Sequence, residues 1–210
     1  MTGRIIACDA DIAEGCAHLA AVEPRFAEAL RVTGQPARRR REGGFDGLLK
    51  AICSQQLSVA AAGSVWQRLV EVGAHCPQTL PALGDDTLRA CGLSRPKIRY
   101  ARALAEADLD FDALSRMPEE EAIATLTAVK GVGVWTAEIY LMFSVGRADV
   151  FAPGDLALQE SARGLFRLPE RPPETRLRAM AEAWSPWRAV AALVLWSYYH
   201  HMKSREGILE

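Results

Sequence analysis

The sequence lacks an excess of charge of either sign: 25 Lys and Arg stand against 26 Asp and Glu, a formal net charge of −1. A chain so balanced creates no global positive field to gather nucleic acid, so any such contact must be local. Cysteine is present but unclustered. Cys8, Cys16, Cys53, Cys76 and Cys91 contain no CxxC pair, and none lies beyond residue 91, so no late four-cysteine set exists to hold an iron–sulfur cluster. They read as reduced thiols of a cytoplasmic protein. His18, His75, His200 and His201 are equally dispersed, which argues against zinc. No long apolar run opens the chain, because Asp9, Asp11 and Glu14 interrupt it. The longest such run, Ala189 to Trp196, is far shorter than the ~20 residues that cross a bilayer. It reads as a buried helix, and neither secretion nor a membrane partner is expected. Alternating strand patterns and Asn-Gly hairpins are missing as well.

What is present is apolar character at helical spacing: half of the 210 residues are hydrophobic, enough for a sizeable core. The expected fold is all-α. Helices are predicted over Asp9–Ala21, Pro24–Thr33, Phe45–Cys53, a stretch capped by Ser58, Asp85–Cys91, and from Ser94 to about Asp108. Further helices follow from Pro118, over Trp135–Phe143, Asp155–Phe166, Pro173–Trp184 and Pro186–His201. In the Ser58 helix, Val59, Ala62, Trp66, Leu69 and Val72 are expected to share one face. The stretch Gln35–Gly44, with Pro36, the run Arg38–Arg41 and Gly43-Gly44, reads as a passage between domains. The expected organisation pairs residues 1–40 with 149–210 as one helical subdomain and inserts 41–148 as a second bundle.

The densest pattern is Leu126-Thr127-Ala128-Val129-Lys130-Gly131-Val132-Gly133-Val134-Trp135-Thr136-Ala137, followed twenty residues after Trp135 by Asp155. Two glycines bracket a tight turn between helical patterns, and Ala137 allows the helices to approach closely. Such a turn directs backbone N–H groups near Gly133 to Thr136 outward, where a phosphate can accept them without any lysine. Asp155, just before Leu156-Ala157-Leu158, is a natural N-cap, and a carboxylate is also favoured there by the helix dipole. Both roles can hold at once.

These stretches, with Ile52-Cys53-Ser54-Gln55-Gln56-Leu57-Ser58, the run from Ala148 to Asp155, and Ser185-Pro186-Trp187-Arg188, resemble the helix-hairpin-helix superfamily of DNA base-excision glycosylases over nearly the whole chain. The closest resemblance is to the bacterial 3-methyladenine DNA glycosylase II group. It implies two helical subdomains with an active-site cleft between them, and Asp155 as the catalytic carboxylate facing an oxocarbenium-like transition state. Trp135 stands where relatives with lyase activity carry a lysine nucleophile. No Schiff base can form there, so water attacks C1′ and leaves an intact abasic site. Trp135 and Trp196 match base-pocket positions, where an indole attracts a cationic alkylpurine by cation–π interaction. Core packing is the alternative for each.

The resemblance also places Gln55 and Gln56 at the gap left by a flipped nucleotide, Gln56 the better choice, although an exposed turn accounts for both. It implies DNA binding through Gly131, Gly133 and Thr136. A structural monovalent cation would be held by carbonyls near Thr127, Val129 and Val132, with no catalytic cofactor. Arg95, Lys97 and Arg99 would add at most salt-sensitive backbone contacts. Longer relatives often carry an extra N-terminal mixed α/β domain, and the resemblance implies that this chain, without room for one, is expected to be the compact form. The expected protein is a monomeric, monofunctional glycosylase acting on alkylated purines in double-stranded DNA. The alternatives are a glycosylase for another damaged or mismatched base, and a non-catalytic helix-hairpin-helix binding module.

Overall fold

The computed structural model of the protein describes residues 3–205 and 207. It is all-α: twelve α-helices and no β-strand lie among the described residues, with one isolated antiparallel bridge between Ile5 and Arg147. Contacts divide the chain into two units, 41–140 and 3–40 with 141–210. The first crossing falls inside Gln35–Gly44. The second unit resumes at Leu141 rather than at residue 149. There Leu141–Val145 forms a π-helical turn, and the Leu141 carbonyl accepts from the Gly146 and Arg147 N–H groups, both at 3.0 Å. Ile6 N–H then donates to the Gly146 carbonyl at 2.7 Å, and Ala148 N–H to that of Arg4 at 2.9 Å. These pairings join segments about 140 residues apart, which local periodicity does not register.

In the unit formed by the two chain ends, α1 (Asp9–Val22) and α2 (Pro24–Thr33) begin where predicted, α2 with Pro24 in its first turn. α10 (Leu156–Leu165) and α12 (Arg188–Arg205) complete the core with α11 (Glu174–Ala181), and α12 packs on α1, α2 and α10. All eight residues from Ala189 to Trp196 are buried, so the long apolar run is a core helix. Beneath it Phe26, Phe151, Phe166 and Trp184 form one aromatic cluster; Phe26 and Phe151 meet Trp184 edge-on, and Phe166 stacks on it at 5.7 Å. The predicted Pro173–Trp184 helix is shorter, its end tightening into a 3₁₀ turn at Glu182–Trp184. Pro186 and Trp187 precede α12 instead of belonging to it.

In the 41–140 unit, α3 (Gly44–Ser54) is the central helix, packing on α4 (Val59–Glu71), α6 (Arg95–Glu106) and α9 (Val134–Tyr140). Ser58 and Ser94 cap α4 and α6 as expected. Among the described side chains of α4, Val65 and Leu69 are buried whereas Ala62 and Trp66 are only half-buried, so this part of the face is rotated from the predicted one; the side chain of Val59 lies outside the described ones. The short helix α5 (Asp85–Ala90) ends before Gly92. Between α6 and α8 (Glu119–Thr127) the structure inserts α7 (Phe111–Arg116), which the sequence reading missed although Asp110 caps it through Ala113 N–H at 2.8 Å. α9 is shorter than predicted, ending at Tyr140 where the π turn begins.

Between α8 and α9 the chain reverses through Gly131 and Gly133, and the two glycines serve different purposes. Gly131 has φ 95°, and a Cβ there would lie 2.2 Å from Cγ of Tyr100. Around Gly133 nothing lies within 4 Å of such a Cβ. Gly131→Ala therefore combines left-handed backbone strain with a steric collision. It should lower unfolding free energy by about 2–4 kcal/mol, read from the denaturant midpoint at unchanged slope; Gly133→Ala should cost less than about 1 kcal/mol.

Candidate active site

Asp155 is the N-cap of α10. Its Oδ1 accepts the Ala157 N–H at 2.9 Å and the Leu158 N–H at 3.1 Å. The same oxygen accepts a third bond, from Nε1–H of Trp196 at 3.2 Å. Two of the predicted site residues, 41 positions apart in sequence, are thus in direct contact. Three donors on one oxygen fix the rotation of the carboxylate and hold negative charge at a helix N-terminus, the field that favours it. Trp196 itself is 8% exposed and packs its ring against Phe143, centroids 5.6 Å apart and tilted 40°. Leu156, the next residue after Asp155, is 62% exposed.

The carboxylate sits on a braced loop. Gln159, one turn into α10, donates from Nε2 to the Pro153 carbonyl at 2.8 Å in a buried bond, holding the Phe151–Asp155 loop against its own helix. Ser161 Oγ donates to the Leu195 carbonyl at 2.6 Å, locking α10 to α12 one residue before Trp196. At the loop's start Asp149 receives Arg188 through Nε at 2.8 Å and Nη2 at 3.0 Å, and Ser185 Oγ at 2.7 Å. Two stretches singled out in the sequence, Ala148–Asp155 and Ser185–Arg188, are therefore one fastening. The forked ion pair ties the loop bearing Asp155 to the first residue of the helix bearing Trp196.

In the 41–140 unit the hairpin is built as the pattern suggests, with Val129, Val132 and Ala137 buried and the Val132 N–H donating to the Val129 carbonyl at 3.0 Å. The side chain of Thr136 is buried, so what Thr136 can offer a phosphate is backbone rather than hydroxyl. Gln55 Nε2 donates to the Gly131 carbonyl at 3.3 Å, which links the polar turn to the hairpin. Gln56 is exposed in a left-handed conformation, φ 58°, beside the half-exposed Leu57. Trp135, on the first turn of α9, is 42% exposed, which removes the core reading for it.

Residues 49–189 match the HhH-GPD superfamily of base excision DNA repair proteins. The chain belongs to that family. It is 30% identical over 191 residues to the DNA-3-methyladenine glycosylase 1 of Schizosaccharomyces pombe, spanning 85% of this chain and 84% of that protein. A crystal structure of the DNA-3-methyladenine glycosidase of Bacillus halodurans superposes with a TM-score of 0.82 at 32% identity, covering 90% of this chain and 91% of the other. The S. pombe 3-methyladenine DNA glycosylase Mag1, solved in complex with abasic DNA, superposes with a TM-score of 0.78 at 29% identity over 87% of this chain and 95% of that one.

Several groups of this HhH-GPD chain are placed differently from the sequence reading or escaped it. Lys97, expected to add at most a salt-sensitive backbone contact, donates from Nζ to the carbonyls of Cys53 and Gln55, both at 2.7 Å, so it closes the polar turn from within. Burial lowers its ammonium pKa. Arg102 is likewise engaged, by the Pro81 and Leu83 carbonyls and by Asp85. Gln159 and Ser161 carried no motif that would have found them. Burial pushes the Cys16 thiol up to about 11 and that of Cys53 up to about 12.

Arg188→Met keeps the aliphatic stem but leaves Asp149 without its fork. The expected result is a loss of about 1–3 kcal/mol in unfolding free energy, measured by chemical denaturation. Base release should fall as well, because the loop carrying Asp155 loses its anchor.

Proposed function

We propose that the protein is a monofunctional DNA glycosylase that flips an alkylated purine, of the 3-methyladenine or 7-methylguanine type, out of double-stranded DNA and hydrolyses its N-glycosidic bond. The observation that carries this reading is Asp155 clamped by two helix N–H groups and the indole of Trp196. A carboxylate oriented in this way is preorganised for positive charge developing on a sugar. The names of the relatives, 3-methyladenine glycosylases and a glycosidase, support the alkylpurine class.

The chemistry follows from the substrate's charge. An N3- or N7-alkylated purine is cationic, and when the bond from C1′ to the base nitrogen breaks, the electron pair goes to the base and neutralises it. No general acid is needed for such a leaving group. Positive charge then appears on the sugar ring, where the Asp155 carboxylate stabilises it. Water adds to C1′ and releases its proton, leaving free base and an abasic site. Trp135 has no amine with which to attack C1′, so the strand stays intact.

The hairpin serves as the backbone anchor in this reading, through N–H groups of Gly131, Gly133 and Thr136. The open space around Gly133 suits close approach of a phosphate. The carbonyls of Thr127, Val129 and Val132 fit a hard monovalent cation: all are neutral oxygens, and the Val129 carbonyl, which accepts one N–H, keeps a second lone pair. A cation there would brace the turn and add positive potential toward DNA. Gln56, at the tip of the polar turn with Leu57 beside it, fills the gap left by the flipped nucleotide. The protein acts as a cytoplasmic monomer.

Asp155→Asn retains an N-cap oxygen but removes the charge. Release of 7-methylguanine from methylated duplex DNA, followed in single turnover, should fall at least about 100-fold with duplex binding retained. Unchanged release would reduce Asp155 to a helix cap and the protein to a binding module. Borohydride added during turnover should trap no covalent protein–DNA adduct, which denaturing gels would reveal as a shifted band.

A further inference from the structure

Arg39 lies in the non-helical stretch before α3, exposed to solvent, with its guanidinium carbon 5.8 Å from the ring centroid of Trp196. The same indole donates its N–H to Asp155 and packs on Phe143. Among the described residues no carboxylate pairs with Arg39, whereas its neighbour Arg38 approaches Asp9 at 4.0 Å. The ring of Trp196 thus already carries a flat, delocalised cation on its face, next to a carboxylate. That is the contact an N3- or N7-alkylated purine would itself make.

We propose that Arg39 is a specificity-determining residue: its guanidinium holds the Trp196 face as a stand-in for a cationic base and so disfavours neutral ones. The inference rests on the reading of Asp155 and Trp196 as the base-release site. A cationic base that enters exchanges one cation–π contact for another. A neutral base displaces the guanidinium and restores nothing, so its entry is opposed by the whole of the lost attraction. For an exposed contact this amounts to about 2- to 5-fold in relative rate. Arg39 can leave readily, being held by no helical backbone and by no ion pair among the described residues.

The test compares single-turnover release of 7-methylguanine, a cation, and hypoxanthine, a neutral base, from otherwise identical duplexes. The proteins are the unaltered chain, Arg39→Ala, Arg39→Gln and Asp155→Asn. Arg39→Gln keeps a planar polar group and deletes only the charge. Expected is a 2- to 5-fold rise in the hypoxanthine to 7-methylguanine rate ratio in both Arg39 variants. An unchanged ratio, or hypoxanthine release still undetectable in both, overturns the proposal while the site reading stands on the inactivity of Asp155→Asn. Equal loss on both lesions with weaker, less salt-sensitive DNA binding also overturns it, and assigns Arg39 to a phosphate. If Asp155→Asn releases both bases like the unaltered chain, the site reading falls and the Arg39 role with it.

Discussion

One carboxylate oxygen organises the unit formed by the two chain ends. Oδ1 of Asp155 is at once the cap that starts α10 and the acceptor for the Trp196 indole, so the beginning of one helix and the middle of another are aligned on a single atom. Neither partner can shift alone. The buried bonds Gln159 to Pro153 and Ser161 to Leu195, and the fork from Arg188 to Asp149, all maintain the register that this contact requires. A side chain restrained from several directions loses little freedom when a substrate arrives, and its charge is already oriented.

The 41–140 unit solves a different problem with different means. Its hairpin hides Val129, Val132 and Thr136 and leaves space around Gly133, so what it exposes there is backbone rather than these side chains. Lys97 and Gln55 stabilise the adjacent polar turn by bonds to main-chain carbonyls. A basic residue in such a region is easily taken for a DNA contact. Here its ammonium replaces hydrogen bonds that the end of α3 cannot make to itself.

Much was legible beforehand because the signals were local. Proline in the first turn of α2, Ser58 and Ser94 as caps, Gly92 beyond α5 and the apolar run in α12 each act within a few residues. Asp155 as an N-cap belongs to the same class, and so does the hairpin. α7 was missed although its cap is local, since a six-residue helix shows too little periodicity to stand out. The π turn after Tyr140, and with it the place where the second unit resumes, depends on bonds to Arg4 and Ile6. No pattern within that segment encodes such a pairing.

The one-dimensional chain was therefore enough to establish an all-helical protein, its punctuation, and the residues able to carry charge or stack on a base. It left Trp135 and Trp196 equally open between core and pocket. Folding leaves the first half-exposed and buries the second with its indole N–H against Asp155. It also set Arg39 over the same ring, a contact spanning 157 positions from 39 to 196. Propensity, capping and turn chemistry act over one or two helical turns, whereas the partners of a side chain depend on how distant helices pack. That packing is the combined result of the whole core, and no single stretch of sequence contains it.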